Sequence, residues 1–459
     1  MTVRRMIILP GLLLLGACAS LLEDQGVVEV TAAASARLGV EASRVQTEDE
    51  AARVRQRLVR LLAQPLSPDG AVQVAVLNNR ALQAAYDDLG VSAAALVRAS
   101  TPPNPGFRYA RTTGGGTVEI ERGLTLDLIG LVTLPFAAAV EERHWQEAKA
   151  RAAERVVALA LEVRRAYFRA VAAGQTAAYM AEVRQSAEAA AELARRLGRT
   201  GAFAKLDQSR HFLFHAEVAT RAARATLAAT TAREQLVRLL GLWGAGADIR
   251  LPERLPELPE RLPDWPDIEA DAIGRRADLR RARLELEALG RSHALTQATR
   301  LVAVAEGGIA STRETGTPTR RGWEVTLSLP IFDGGTTAAA EAANLYQAAA
   351  NRLAGLAVDA RSEVRAADAV WRASHAIAWH HRREIVPALQ AISEESLLRY
   401  NGMLVSVFEM LADAARQAEG VAEAIAAERD FWIAQTDLED ATGGTMPDAV
   451  ATHGQRREG

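Results

Sequence analysis

The chain echoes itself at an almost constant distance, and this constrains its architecture more than any other feature of the sequence. Asn78-Asn79-Arg80-Ala81-Leu82-Gln83-Ala84 has a counterpart 197 residues on, Arg275-Arg276-Ala277-Asp278-Leu279-Arg280-Arg281, and each opens an Ala/Leu-rich helical pattern. Leu124-Thr125-Leu126-Asp127-Leu128 matches Val325-Thr326-Leu327-Ser328-Leu329 at an offset of 201. Gly201 matches Gly402 at 201, Leu206-Asp207 matches Phe408-Glu409 at 202, and Gly241 matches Gly443 at 202. Ala-rich helices alone would give a false echo, but these anchors are not alanines. The sequence is therefore expected to hold two copies of one unit.

Between the copies, residues 244–267 carry Pro at 252, 256, 259, 263 and 266, a spacing that forbids a regular helix and favours extended geometry. The expected layout is a first repeat over 65–243, this linker, a second repeat over 268–443 and a C-terminal tail over 444–459. Each repeat reads as a helix of about 30 residues, a β-hairpin, a very long helix, a glycine break and a helix of about 40 residues. Ser67 as N-cap and Pro68 at the first helical position start the first helix of copy one, and Pro102, Pro103 and Pro105 end it. In copy two that helix starts near Asp267 and fades by Arg300. Aromatic residues are only 5% of a chain that is 49% hydrophobic, which excludes a disordered protein and favours closely packed helices.

The hairpins carry the period-2 signature of strands with one apolar and one polar face. Trp323, Val325, Leu327, Leu329 and Ile331 alternate with Glu324, Thr326 and Ser328. In copy one Val118, Ile120, Leu124, Leu126 and Leu128 alternate with Glu119, Glu121, Thr125 and Asp127, with Arg122 as the exception on the apolar side. Their partners are expected at 107–112, turning through Gly114-Gly115-Gly116, and at 299–311, turning through Thr315-Gly316-Thr317-Pro318. Strands of roughly 10 residues suit a membrane barrel. A small β-domain completed by other chains is the other reading, and in both the sheet cannot close within one chain.

The segment from Phe136 to Leu197 is expected to form one helix of about 60 residues, or roughly 90 Å at 1.5 Å per residue. Val156, Leu159, Val163, Ala166 and Ala170 alternate steps of three and four along it, as in a coiled-coil seam. Asn344 to Ala391 has the same character, with Pro387 as a potential kink.

The amino terminus reads as an export signal over 1–17: Arg4 and Arg5 precede an apolar run from Met6 to Leu15. The sole Cys follows in Leu15-Gly16-Ala17-Cys18, so no intrachain disulfide can form. This motif resembles the lipobox of bacterial lipoproteins, which implies that Cys18 becomes the lipidated first residue of an N-terminal segment over 18–64. A free Cys removed with a plain signal is the alternative. Ala19 and Ser20 follow in place of the Asp that retains many lipoproteins at the inner membrane, so the resemblance implies an outer-membrane destination.

Two tandem units of this kind, with Leu327-Ser328-Leu329-Pro330-Ile331-Phe332-Asp333-Gly334-Gly335 at a strand-to-helix junction, resemble the TolC-like outer membrane efflux proteins over about residues 65 to 443. The fold class implied is mainly α with a membrane β-barrel: a homotrimer whose chains each give four strands to a 12-stranded barrel and their helices to a periplasmic coiled-coil tunnel, the linker lying at its equator. Copy one departs from the junction pattern with Leu128-Ile129-Gly130-Leu131-Val132-Thr133-Leu134-Pro135. Copy two departs at the tunnel tip, where Met403 stands in place of the family's Gly and Gly402 falls one residue early.

The function implied is a passive exit duct for small molecules or metal ions, working with a periplasmic adaptor and an inner-membrane pump. A type I protein-secretion duct, or a lipid-anchored periplasmic scaffold, are the alternatives. The tip turns at Gly198 to Gly201 and Asn401 to Met403 are the expected gate and adaptor dock, with Gly201, Phe203, Leu206, Gly402, Met403 and Ser406 as docking residues. Asp207, Glu409 and Asp413 follow the turns. They are read equally as acids placed favourably in a helix's first turns and as a pore ring attracting cations.

Other functions find little support. The formal charge of −3 argues against a nucleic-acid partner. No phosphate-binding loop, zinc-protease motif or hydrolase set occurs, so neither enzymatic activity nor a cofactor is expected. His375, His380 and His381 are poorly spaced for joint metal binding on one helical face.

Overall fold

Ser67 caps its helix as the sequence requires: its hydroxyl accepts from the Gly70 amide at 3.0 Å, with Pro68 in the first turn. The computed structural model describes residues 25–300, 304–328 and 330–444, so Cys18, the export signal and Leu329 lie outside the described residues. In chain order the helices before the first hairpin are α1 (Val27–Leu38), α2 (Glu48–Leu62), α3 (Pro68–Asn78) and α4 (Arg80–Ala99). Strands β1 (Gly106–Gly114) and β2 (Thr117–Asp127) precede α5 (Leu128–Arg199) and α6 (Lys205–Leu239). The order then recurs as α7 (Ile268–Arg275), α8 (Ala277–Thr299), β3 (Val304–Glu314), β4 (Arg320–Ser328), α9 (Thr336–His380), α10 (Val386–Asn401) and α11 (Val407–Ala441).

Several expectations are corrected. The opening helix of each half is not continuous but breaks after Asn78 and after Arg275, where Asn79 and Arg276 leave helical geometry at ψ 119° and 128°. The freed polar groups are used. Asn78 Nδ2 donates to the carbonyls of Leu240 and Gly241 at 3.1 and 2.7 Å, and Arg276 Nη1 donates to the Ala441 carbonyl at 3.4 Å. Each break is thus fastened to the end of a later helix.

Helix α5 starts at Leu128, eight residues before the expected Phe136, and runs for 72 residues with Pro135 inside it. Asp127 makes this possible without the Asp-Gly-Gly sequence, because its carboxylate accepts from the Gly130 amide at 2.8 Å and caps the helix directly off β2. Leu128 is therefore helical, not a strand residue. In the second half β4 ends at Ser328, and Ile331 lies in a turn closed by Asp333, whose carboxylate accepts from the Gly335 amide at 3.0 Å. Strand β3 is shifted toward its turn relative to the expected 299–311, since Thr299 still belongs to α8. At Pro387, read as a potential kink, a π-helical turn at His381–Ile385 precedes the proline, with the Val386 amide donating to the His381 carbonyl, and α10 continues to Asn401.

The chain groups into two compact units, each drawn from both sequence halves. One takes the described residues up to Val30, Ala84–Glu154 and Ala277–Asp359, and contains the sheet. The other takes Thr31–Gln83, Arg155–Arg276 and the chain from Ala360 onward. Its core joins Val364, Trp371 and Ala378 of α9 to Phe431, Ala434 and Leu438 of α11, a seam of steps of three, four and seven. The Pro-rich linker packs on this unit. Leu255 and Leu258 are buried, Trp432 Nε1 donates to the Pro256 carbonyl at 3.2 Å, and a ring nitrogen of His375 lies 2.7 Å from the Pro259 carbonyl.

Helix α2 and the strap before it answer a signal that the sequence carried locally, a Thr47-x-x-Glu50 capping box in which Thr47 and Glu50 satisfy each other's amides. Gln73 and Gln83 hold the strap through paired side-chain contacts to Glu41 and to Val45 and Ser43.

Candidate functional site

The four strands form one antiparallel sheet in the order β1-β2-β3-β4, with β1 and β4 left as unpaired edges. Residues opposite one another in register share a face. Phe107 pairs with Leu124, Leu124 with Ile309 and Ile309 with Trp323, so one row of large apolar side chains crosses all four strands. Leu126, Gly307 and Val325 form the next row toward the helices, and Ala305 with Leu327 the one after. The belt runs on into the chain beyond the sheet, where Leu128, Val132 and Phe136 lie exposed at steps of four along α5, with Ile331 and Phe332 exposed after β4.

The opposite face is polar and acidic. It carries Glu119, Glu121 and Asp127 of β2, Glu306 and Glu314 of β3 and Glu324 of β4, against only Arg108 and Arg320. Arg108 meets Glu121 at 3.8 Å, which confirms that these side chains share a side. Small residues keep that face low: a side chain added at Gly308 would strike the Leu124 carbonyl at 2.8 Å and Thr125 at 2.9 Å.

The apolar face is left open, against what water favours. Trp323 is 80% and Ile309 64% exposed, whereas a soluble antiparallel sheet buries its apolar face. The sequence expectation that Trp323, Val325 and Leu327 share one face and Glu324, Thr326 and Ser328 the other holds in the register. No described helix is long and apolar enough to cross a membrane.

The second group of predicted residues gathers at the turns between α5 and α6 and between α10 and α11. Gly201 takes φ +76°, with the Ala202 amide donating to Leu197 O at 3.1 Å and the Gly201 amide to Gly198 O at 3.1 Å, a left-handed helix stop. The second turn repeats these bonds at Leu404 to Arg399 (2.9 Å) and Met403 to Tyr400 (3.0 Å). The left-handed residue there is Met403, at φ +59°, whereas Gly402 sits at φ −81°. The equivalence of Gly201 with Gly402 is thus corrected to Met403, which restores the offset of 202 found for Leu206 and Gly241.

Around these turns Leu206, Leu404 and Phe408 are exposed and Met403 is 93% exposed, while Phe203 packs on His211 with ring centroids 5.8 Å apart. The Arg210 guanidinium lies 5.5 Å from the Phe408 ring centroid, joining one turn to the other. His211 is 6% exposed and its Nδ1 has no partner among the described residues. Burial lowers its pKa, with Asp207 opposing.

Each predicted acid has a partner within the chain. Asp207 lies 3.2 Å from Arg210. Glu409 closes a capping box with Ser406, accepting from its amide at 2.9 Å. Asp413 accepts from the Ser396 hydroxyl at 2.5 Å and lies 3.8 Å from Arg416. The three histidines are not brought together: His375 stacks on Trp379, and His380 lies 3.2 Å from Glu384.

This is the fold of the TolC-like outer membrane channels. The chain is similar to a membrane protein from Pseudomonas aeruginosa (20% identity, covering 84% of this chain and 93% of that one, TM-score 0.70). It is similar also to the CmeC outer membrane channel of Campylobacter jejuni (13%, 90% and 92%, TM-score 0.69) and to the MtrE outer membrane channel of Neisseria gonorrhoeae, solved in its open state (17%, 81% and 88%, TM-score 0.64). No protein-family model and no curated protein sequence matches the chain.

Proposed function

We propose that this chain is a protomer of a homotrimeric outer-membrane exit duct, a passive conduit for small molecules or metal ions that joins a periplasmic adaptor and an inner-membrane pump. The observation that carries this reading is the sheet: four strands with two free edges and an exposed apolar face. In lipid every backbone polar group needs a partner, so such a sheet must close with others. Three copies would supply twelve strands, with the acidic face lining the lumen and the apolar face toward lipid. The duplicated order of elements supports two repeats within each chain. Cys18 would add a lipid anchor at the amino terminus. The duct itself catalyses nothing in this reading.

The exposed apolar side chains at the two turns suit docking of an adaptor, and the acids beside them suit a mouth that attracts cations. Their in-chain partners offset part of that charge, and threefold repetition would concentrate the remainder around one axis.

Two measurements test the reading. Protein solubilised in detergent should migrate as a trimer unheated and as a monomer after boiling. Reconstituted in a planar bilayer it should conduct, and at least one of Asp207→Asn, Glu409→Gln and Asp413→Asn should lose cation preference. A monomer that never conducts would sink the duct, and unchanged selectivity in all three variants would leave the acids as helix caps.

A further inference from the structure

The apolar face of the sheet also bears four arginines. Arg111 stands on β1, Arg122 on β2, Arg313 on β3 and Arg321 on β4, one to each strand. Register places them in two adjacent rows. Arg122 and Arg321 flank Ser311, and Arg111 and Arg313 flank Ile120 in the row nearer the hairpin turns. The four therefore zigzag across the sheet, diagonal neighbours standing about 7–8 Å apart.

All four side chains are exposed, and none has an ion-pair or hydrogen-bond partner among the described residues. No acid shares their face, although six acids occupy the other. Closing a barrel with further copies brings like face beside like face, so no partner would arrive by assembly. Four cations on the face turned away from the sheet's acids are open to an anion from outside the protein.

Their level identifies it. The rows lie just beyond the apolar row Phe107-Leu124-Ile309-Trp323, on the side of the hairpin turns, with Tyr109 in the same row as Arg122. Aromatic side chains at the border of an apolar belt mark the membrane–water interface, and arginine at that depth reaches headgroups. Guanidinium groups bind phosphate oxygens in pairs of parallel hydrogen bonds.

We propose that Arg111, Arg122, Arg313 and Arg321 form a binding band for lipid headgroups whose phosphates carry net negative charge, in the leaflet on the hairpin-turn side of the membrane. The proposal rests on the barrel reading above. In a closed trimer the zigzag would continue around the circumference, and each lipid phosphate would lie between arginines of neighbouring strands.

The test uses the full-length protein in detergent micelles, with diphosphoryl lipid A, phosphatidylcholine and inorganic phosphate as probes and bound lipid counted by native mass spectrometry. Wild type should retain lipid A and release phosphatidylcholine. Replacing all four arginines by Gln should weaken lipid A retention by roughly a hundredfold or more, at about fivefold per arginine, and Arg122→Gln alone should give about one such step if the fourfold variant folds poorly. Arg108→Gln with Arg320→Gln, on the acidic face, should change nothing. Equal retention of lipid A by wild type and the outward variants would overturn the proposal. Displacement by inorganic phosphate beyond the effect of chloride at equal ionic strength would overturn it too, by assigning the band to free anions. Flotation with phosphatidylcholine vesicles separates the two ideas: if wild type does not insert at all, the barrel has failed and the arginine band falls with it, whereas insertion without lipid preference refutes the band alone.

Discussion

Placing Arg at Leu327 and, separately, at Thr326 sets one face of β4 against the other with a shift of a single residue. Leu327 pairs with Ala305 on the apolar face, and Thr326 pairs with Glu306 on the acidic one. If Arg321 marks the headgroup level, Leu327 lies six residues below it. At about 3.3 Å per residue and a tilt of about 45°, that is roughly 14 Å of depth in an apolar band about 25 Å tall, close to its middle. Arg on the lipid face at that depth costs about 2–4 kcal/mol per chain, or roughly 30- to 700-fold in the unfolding equilibrium. Thr326→Arg enters a polar space beside Glu306, so its cost should be near zero and its charge attractive. The assay is reversible urea unfolding in phosphatidylcholine vesicles followed by Trp fluorescence, with Trp323 as a reporter two strand rows away. Equal destabilisation by both variants would refute the assignment of faces.

At the tip, Met403→Gly should raise stability by about 0.5–1 kcal/mol, since a non-glycine residue in left-handed geometry costs about 1–2 kcal/mol and Gly returns only part of that through its looser unfolded chain. Gly201→Met should lower it by a comparable amount, and thermal unfolding of the two variants checks the pair. Burial lowers the pKa of His211 below the ordinary value near 6.5, so the unfolded tip takes up a proton before the folded one does. Its contribution is therefore intact above pH 6.5 and lost as pH falls toward the depressed folded value. Hydrogen exchange over residues 197–215 should quicken from pH 7.5 to pH 5.5, after correction for intrinsic rates, and His211→Leu should remove most of that change. Metabolic labelling with palmitate should mark the wild type and not Cys18→Ala, and a mature chain beginning well beyond residue 18 would exclude that anchor.

Much of the architecture is written locally. The alternation from Trp323 to Ser328, the Ser67-Pro68 start, the prolines of the linker and the heptad steps around Val163 each follow from a period or a cap that a few neighbouring residues define. Thr47-x-x-Glu50 was equally legible and announces α2. Other features depend on residues far apart in sequence. Asn79 and Arg276 break their helices where carbonyls at 240, 241 and 441 offer side-chain donors a place to bind, and nothing nearby predicts that. Met403 holds a glycine conformation because the bonds of Leu404 to Arg399 and Met403 to Tyr400 close the turn around it. Arg122 reads in sequence as an exception within one apolar strand. Register alone reveals it as one of four, since the pairing of β2 with β1 and β3, and of β3 with β4, decides which side chains from distant segments share a face. Period is a property of neighbours along the chain, whereas register is set by partners that only the folded backbone brings together.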